Sequence, residues 1–468
     1  MNITDILSSK THANFNSTKK MSTEMIAEQD SKIENTQQPT KSGFFKAGSN
    51  SVTILTLAKG TLGAGVLALS KKAMYTGIPF FLVLLCFGAF FTAKSIPMIT
   101  KGSDRTGKNG FEDITEALFG RNMGIILGVS MLLNCYGASI VYVIAIKDSL
   151  TALMSELYTT SGTDWPLYAT LIIGGLILVP LSIVEKLNSL RILSMAGVFG
   201  VFFTVGSVIY ALALTGIASD LTTSTSSATE TLMSPQGGFV DIMTVICAIT
   251  FAFCNQYNVP QLYGEMTNRT PAASKYVANV STLLAMSLYV VTGICGYLCY
   301  GLAIDSDILT NFIPLIEAGY IFIYIGVIAV TWSVTMCHLL NNFPMRLSVL
   351  FFLPARFESN KWIKWGVPLF TAISTIAIGL SYPYLNVILG LVGSLTGSII
   401  CYIVPGLISI RASQLDARDN AVENGLKDKI NWTQSAYNHP IEYMMIAVGT
   451  VIGIVGTFCE FYSCFNAA

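Results

Sequence analysis

The chain has 468 residues, of which 52% are hydrophobic and only 12% charged, and its basic and acidic residues balance to a net charge of zero. A soluble domain carries about 25% charged residues, so the composition excludes an ordinary soluble globule. The balanced charge leaves no basic surface for nucleic acid.

Residues 1–47 are polar, rich in Ser, Thr, Asn, Gln and Lys, and contain no apolar run. They predict a disordered tail and lack the apolar region of a cleavable signal peptide. Beyond them, apolar runs near the roughly 20 residues that cross a bilayer recur along the chain. They fall near 51–70, 77–99, 122–146, 165–184, 190–215, 238–262, 276–302, 315–341, 365–382, 384–410 and 441–462. The pattern predicts an all-α membrane protein of eleven transmembrane helices, with Ser381-Tyr-Pro-Tyr384 as the tight turn between the ninth and tenth.

Lys and Arg alternate between the loops in step with that count. One set of loops carries Lys101, Arg105, Lys108 and Arg121, then Lys186 and Arg191, then Arg269 and Lys275. It continues with Arg346, Arg356, Lys361 and Lys364, then Arg411, Arg418, Lys427 and Lys429. The opposite loops at 148–164, 216–237 and 303–314 carry none; only Lys71, Lys72 and Lys147 break the pattern. Positive loops face the cytosol, which predicts a cytosolic N-terminus and an extracytosolic C-terminus. The ten cysteines are scattered, mostly within spans, without metal-ligand spacing. No metal or other cofactor is expected.

The first span is interrupted. Leu57–Ser70 places Lys59, Gly60, Gly63 and Gly65 inside an apolar run. A charge within lipid is expensive and marks a pathway or a site, and glycines weaken the helix beside it. A broken helix survives in a membrane protein only where it lines a cavity or is buried in protein. The sixth span is interrupted too: Thr250–Met266 starts apolar, then meets Asn255, Gln256, Asn258 and Pro260. Proline removes a backbone donor, and the amides can bond freed backbone groups or a polar ligand.

Spans one and six begin the two five-span halves of spans 1–10. Paired breaks at matching positions point to a transporter site between inverted repeats, with the eleventh span an addition. Half-helix N-termini expose N–H groups that suit a carboxylate; half-helix C-termini and unwound carbonyls suit a cation or an ammonium. An amino acid carries both groups on one carbon. The expected substrate contacts are Thr61, Gly63, Ala64 and Gly65 of the first break, Phe251, Asn255 and Gln256 of the sixth span, and Asn134 of the third. Tyr257 and Glu265 are expected to gate the site.

The text around these breaks resembles the amino acid/auxin permease superfamily. Lys59-Gly-Thr-Leu-Gly-Ala-Gly-Val-Leu-Ala-Leu-Ser70, followed by Thr76-Gly77, is similar to its first span, most like the proton-coupled members. Phe251-Ala-Phe with Tyr263-Gly-Glu-Met266 resembles its sixth-span motif, in a form like protozoan members. Val141–Asp148 looks like its third span and Asn342-Phe-Pro-Met-Arg346 like the end of its eighth. The resemblance covers residues 48–465. It implies the bacterial leucine-transporter-type fold, an inverted 5+5 repeat plus one helix, and transport of amino acids.

The resemblance also bears on coupling. Sodium-coupled members carry a polar residue, usually Asn, where this chain has Lys59. The lysine ammonium is expected to stand in for sodium and to tie the first span to Ser333 and Thr335 of the eighth. Sodium independence follows, with proton symport and facilitated diffusion both open. The scarcity of acidic residues near the breaks leans toward neutral over cationic substrates. Sodium coupling and a membrane amino-acid sensor with little flux are the alternatives. An enzyme is not expected, because no cluster of catalytic residues is present. Plasma membrane and an acidic organelle both fit, and no oligomeric state is implied.

Overall fold

The computed structural model describes residues 48–63, 65–155, 163–183, 187–221, 232–353, 361–382, 385–423 and 439–467. The expected tail at 1–47 and Ala64 lie outside the described residues. Among those described, every regular element is helical.

The first expected span is two helices, α1 (Asn50–Thr61) and α2 (Gly65–Thr76), bent by 57°. Then come α3 (Ile78–Thr106), a short α4 (Phe111–Phe119) and α5 (Arg121–Leu153). They are followed by α6 (Trp165–Ser182), α7 (Leu187–Thr215), α8 (Phe239–Ala252), α9 (Val259–Glu265) and α10 (Pro271–Tyr300). The last four are α11 (Ile321–Phe352), α12 (Lys361–Ser381), α13 (Leu385–Asn420) and α14 (Pro440–Phe465). Nine stretches among the described residues are long and apolar enough to cross a bilayer, counting α8 with α9 as one. The bent pair α1–α2 passes the same test, and Trp365–Ser381 is a shorter apolar helix.

Burial sorts these helices into centre and rim. The most apolar stretch of α5 is 78% buried, that of α6 only 28%. Accordingly α5 packs against α11, and α11 against α7, while α3 and α2 pack on α10. Ile172 and Leu176 of α6, Phe199 of α7 and Phe370 of α12 point outward, as lipid-facing side chains do. A helix apolar all round belongs inside such a bundle.

Most helices run past the expected spans, and one starts later than expected. The eighth span, expected from 315, starts at Ile321, and a separate short helix runs over Ile313–Glu317. Gly319 lies between them at φ 83°, a left-handed conformation that only glycine adopts without strain. Pro260 also acts differently from a mid-helix breaker. It falls in the first turn of α9, where its missing N–H belongs to a group left unpaired anyway. The break itself is made just upstream, by Phe253–Asn255 and the single 3₁₀ turn Gln256–Asn258.

Candidate functional site

Two helix ends meet at the centre of the bundle. α1 stops at Thr61, and α8 stops at Ala252. The hydroxyl of Tyr289, from α10, lies 2.5 Å from the Thr61 carbonyl and 2.8 Å from the Ala252 carbonyl. One hydroxyl proton therefore faces two carbonyls, each from the end of a half-helix whose last C=O groups lack a helical partner. The Tyr289 ring is buried edge-on against Phe253, with centroids 5.3 Å apart.

The second break also reaches into the first. Asn255 donates through Nδ2 to the Leu57 carbonyl at 2.9 Å and accepts from Asn258 Nδ2 at 2.6 Å. Gly60 makes this approach possible, because a Cβ there would overlap the Asn255 amide. Gly63 does the same for α5: a Cβ there would come within 2.7 Å of the Tyr142 hydroxyl. Gly65 sits against Ala252. The glycines thus bring the two breaks into contact with each other and with α5. Thr61 turns its hydroxyl back to Leu57 O at 2.9 Å.

Lys59 is completely buried. Its ammonium donates to the Ser333 carbonyl at 3.0 Å and to the Ser333 hydroxyl at 2.5 Å, both on α11. The Ser333 hydroxyl passes the chain on to Gly197 O of α7 at 2.9 Å. Thr335 is not part of this contact; its hydroxyl bonds Thr331 O within α11 at 2.7 Å. A threonine hydroxyl in a helix readily takes its own i−4 carbonyl.

The remaining expected residues lie around the same centre with differing partners. Asn134 of α5 donates to Thr396 Oγ1 of α13 at 3.0 Å, and the Cys254 thiol leans toward its carbonyl oxygen at 3.8 Å. Phe251 is buried in the last turn of α8, over Gly393 of α13. Gln256 spends its side chain within the fold. It accepts from Asn255 N at 2.8 Å and from Cys401 Sγ at 3.1 Å, and donates to Ser95 Oγ at 3.2 Å. Tyr257 donates to Asn341 Oδ1 at 3.1 Å, and Asn341 in turn donates to Cys135 O at 2.6 Å. Glu265 is exposed at the end of α9.

Backbone contacts tie the broken first span to neighbouring segments on both sides of its break. Next to Glu265, Gly48 O accepts from the Thr267 N–H and hydroxyl, each at 3.0 Å, tying the start of α1 to the end of α9. On the other side the loop after α10 docks on α2, where Ile308 N donates to Leu67 O at 3.3 Å. A cleft of about 590 Å³ lies elsewhere, between α3, α10 and α14, lined by Lys94, Lys101, Lys275 and Glu442. It has none of the paired helix ends, so the chemistry places the candidate site at the breaks rather than in this cleft.

Sequence reasoning missed Tyr289 and Asn341. Tyr289 carries no signal beyond being a polar-tipped residue in an apolar run. Asn341-Asn342 was a legible signal: two adjacent amides at the end of an expected span. Among the described residues no three His, Cys, Asp or Glu side chains are grouped to hold a metal ion.

Residues 46–456 match the family described as transmembrane amino acid transporter protein. The chain is 24% identical over 388 residues to a Danio rerio protein named sodium-coupled neutral amino acid symporter 2, covering 78% of this chain and 76% of that one. It is 24% identical over 375 residues to vacuolar amino acid transporter 5 of Schizosaccharomyces pombe, covering 78% and 84%. It is 27% identical over 366 residues to amino acid transporter AVT6A of Arabidopsis thaliana, covering 72% and 75%.

Proposed function

The chain belongs to the transmembrane amino acid transporter family, and from that premise we propose that it moves amino acids across a membrane by alternating access around the two helix breaks. Residues 48–465 form the transport domain, with eleven spans as two inverted five-span halves and an added last helix. The convergence of Thr61 O and Ala252 O on one hydroxyl carries this reading. These two carbonyl ends, of which Thr61 O also accepts from the Gly63 N–H at 2.9 Å, are an acceptor pair for a substrate ammonium, which offers three N–H donors in place of the one hydroxyl. The substrate carboxylate lies against the backbone at the start of α2, beside Gly65; Ala64, expected among its contacts, lies outside the described residues. Phe251, Asn255 and Asn134 shape the side-chain end, with Gln256 supporting them from behind.

Transport is sodium-independent. The relatives' names include a sodium-coupled symporter and a vacuolar transporter, so the family leaves the coupling ion open. What supports independence here is the Lys59 ammonium bonded to Ser333, a fixed positive charge joining α1 to α11. A second cation beside it would be repelled. Protons are the coupling ion, neutral amino acids the substrates, and Tyr257 and Glu265 lie on the side that opens to the cytosol. The N-terminus is cytosolic, and the membrane is the plasma membrane or that of an acidic organelle. The purified protein in proteoliposomes should take up labelled neutral amino acids saturably. Binding without flux would point instead to a sensor.

A further inference from the structure

Away from the breaks, the buried ionisable side chains that the transport site does not use include a carboxyl and a lysine that sense one another. Glu460 of α14 is 3% exposed and Lys72 of α2 is 4% exposed. The carboxyl of Glu460 fills the space a side chain at Gly390 of α13 would need. Its Oε1 is enclosed and has no hydrogen-bond partner. Lys72 is the charged neighbour it feels, yet the two form no direct salt bridge among those described. Lys72 instead lies over the Tyr75 ring, 5.9 Å from its centroid.

A carboxylate in a low-dielectric interior needs donors or a neutralising cation, and inside a membrane protein such a group marks an ion or proton path. Here one oxygen is left with neither a donor nor a bound cation among the described side chains. The surroundings are irregular helix: the π turns Gly393–Gly397 of α13 and Ile452–Gly456 of α14 pack on each other one to two turns away. π turns concentrate at functional sites. The other titratable groups around the pair are Asp241 and Cys247 of α8, Lys71 and Tyr75 of α2, and Cys459 and Cys464 of α14. The facing stretch Leu385–Val392 of α13 has none.

We propose that Glu460 is a proton-binding site of the transport cycle, and that Lys72 is the counter-charge through which its protonation is felt by the broken first helix. With Glu460 ionised, its attraction for Lys72 draws α2 toward α14 across α8, which packs on both. With a proton on Glu460, that attraction is gone and α2 is free to move. The proton is taken from water and returned to water on the opposite side, with no other bond made or broken. This rests on the transport reading, and it places the coupling ion on the last helix, apart from Lys59.

Two arms test it. In the first, uptake into proteoliposomes is measured with and without an inward proton gradient. The natural chain should show at least about fivefold stimulation, the ratio should fall to about one in Glu460→Gln, and Glu460→Asp should restore part of it. Undiminished stimulation in Glu460→Gln overturns the proposal. The second arm uses the unmutated protein and does not need transport. An apolar carbodiimide modifies protonated carboxyls, and peptide mass spectrometry locates the adduct. Glu460 should be labelled at about pH 5 at least about fivefold more than at about pH 8. No pH-dependent labelling of Glu460 overturns the proposal even if Glu460→Gln fails to fold. Labelling without any amino-acid uptake supports the proton site while sinking the transport reading.

Discussion

The ammonium of Lys59 in α1 is held by Ser333 of α11, through the carbonyl at 3.0 Å and the hydroxyl at 2.5 Å. The contact is fully buried, so it joins two helices across the protein interior with no water to replace it. Hydrogen bonds to a charged group contribute about 1.5–3 kcal/mol. Lys59→Ala should lower uptake by about tenfold or more, since about 1.4 kcal/mol is one decade. Uptake measured in matched sodium and potassium buffers should remain indifferent to sodium. Uptake equal to that of the natural chain would remove Lys59 from the mechanism.

Tyr289→Phe removes the hydroxyl between Thr61 O and Ala252 O and leaves the ring packed on Phe253. If a substrate ammonium takes those carbonyls, the hydroxyl is its competitor. Losing a competitor worth about 1 kcal/mol tightens binding by roughly fivefold. KM from initial uptake rates should fall accordingly. A raised KM would mean that the hydroxyl serves the substrate instead of standing in for it.

Gly63→Ala should nearly abolish transport, because the new methyl meets the Tyr142 hydroxyl at 2.7 Å and its ring at 3.0 Å and 3.3 Å. Overpacking of this kind costs about 1–3 kcal/mol. Adding Tyr142→Phe removes the closest atom, so the double variant should recover part of the rate. Failure of the double variant to exceed Gly63→Ala would show that the glycine is needed for backbone freedom and not for space.

Glu112 in α4 gives a pH dependence of stability outside the membrane-crossing helices. Burial pushes its carboxyl above the ordinary range, against the opposing effect of the Ser348 hydroxyl that donates to it at 2.5 Å. The folded protein therefore holds this proton at pH values where the unfolded chain has lost it. The contribution is fully present below the unfolded pKa and is lost as pH rises through the folded one. Glu112→Gln cannot titrate, so its thermal midpoint in detergent should fall less steeply than that of the natural chain as pH is raised across that window. Parallel midpoint curves would contradict the assignment.

Much of the helical layout was legible because lipid imposes simple rules. Apolar length placed the helices, and most of them extend past the apolar runs at one or both ends. The start of α11 moved because a single left-handed glycine, Gly319, ends the preceding short helix, and φ cannot be read from an apolar run. Both breaks were legible for local reasons: glycines beside a lysine, and amides beside a proline. Partners across the bundle were not. Ser333 was reached only with the help of the family resemblance, and Thr335 was named beside it although its hydroxyl turns to its own helix. Tyr289 was invisible, since nothing in an apolar stretch says which tyrosine will face two helix ends.

The most direct test of the paired-break account is uptake of a labelled neutral amino acid into proteoliposomes, with a sodium gradient and a proton gradient imposed one at a time. The account predicts saturable uptake that is the same with or without sodium and is stimulated by an inward proton gradient. Uptake that requires sodium, or no uptake of any amino acid, would contradict it.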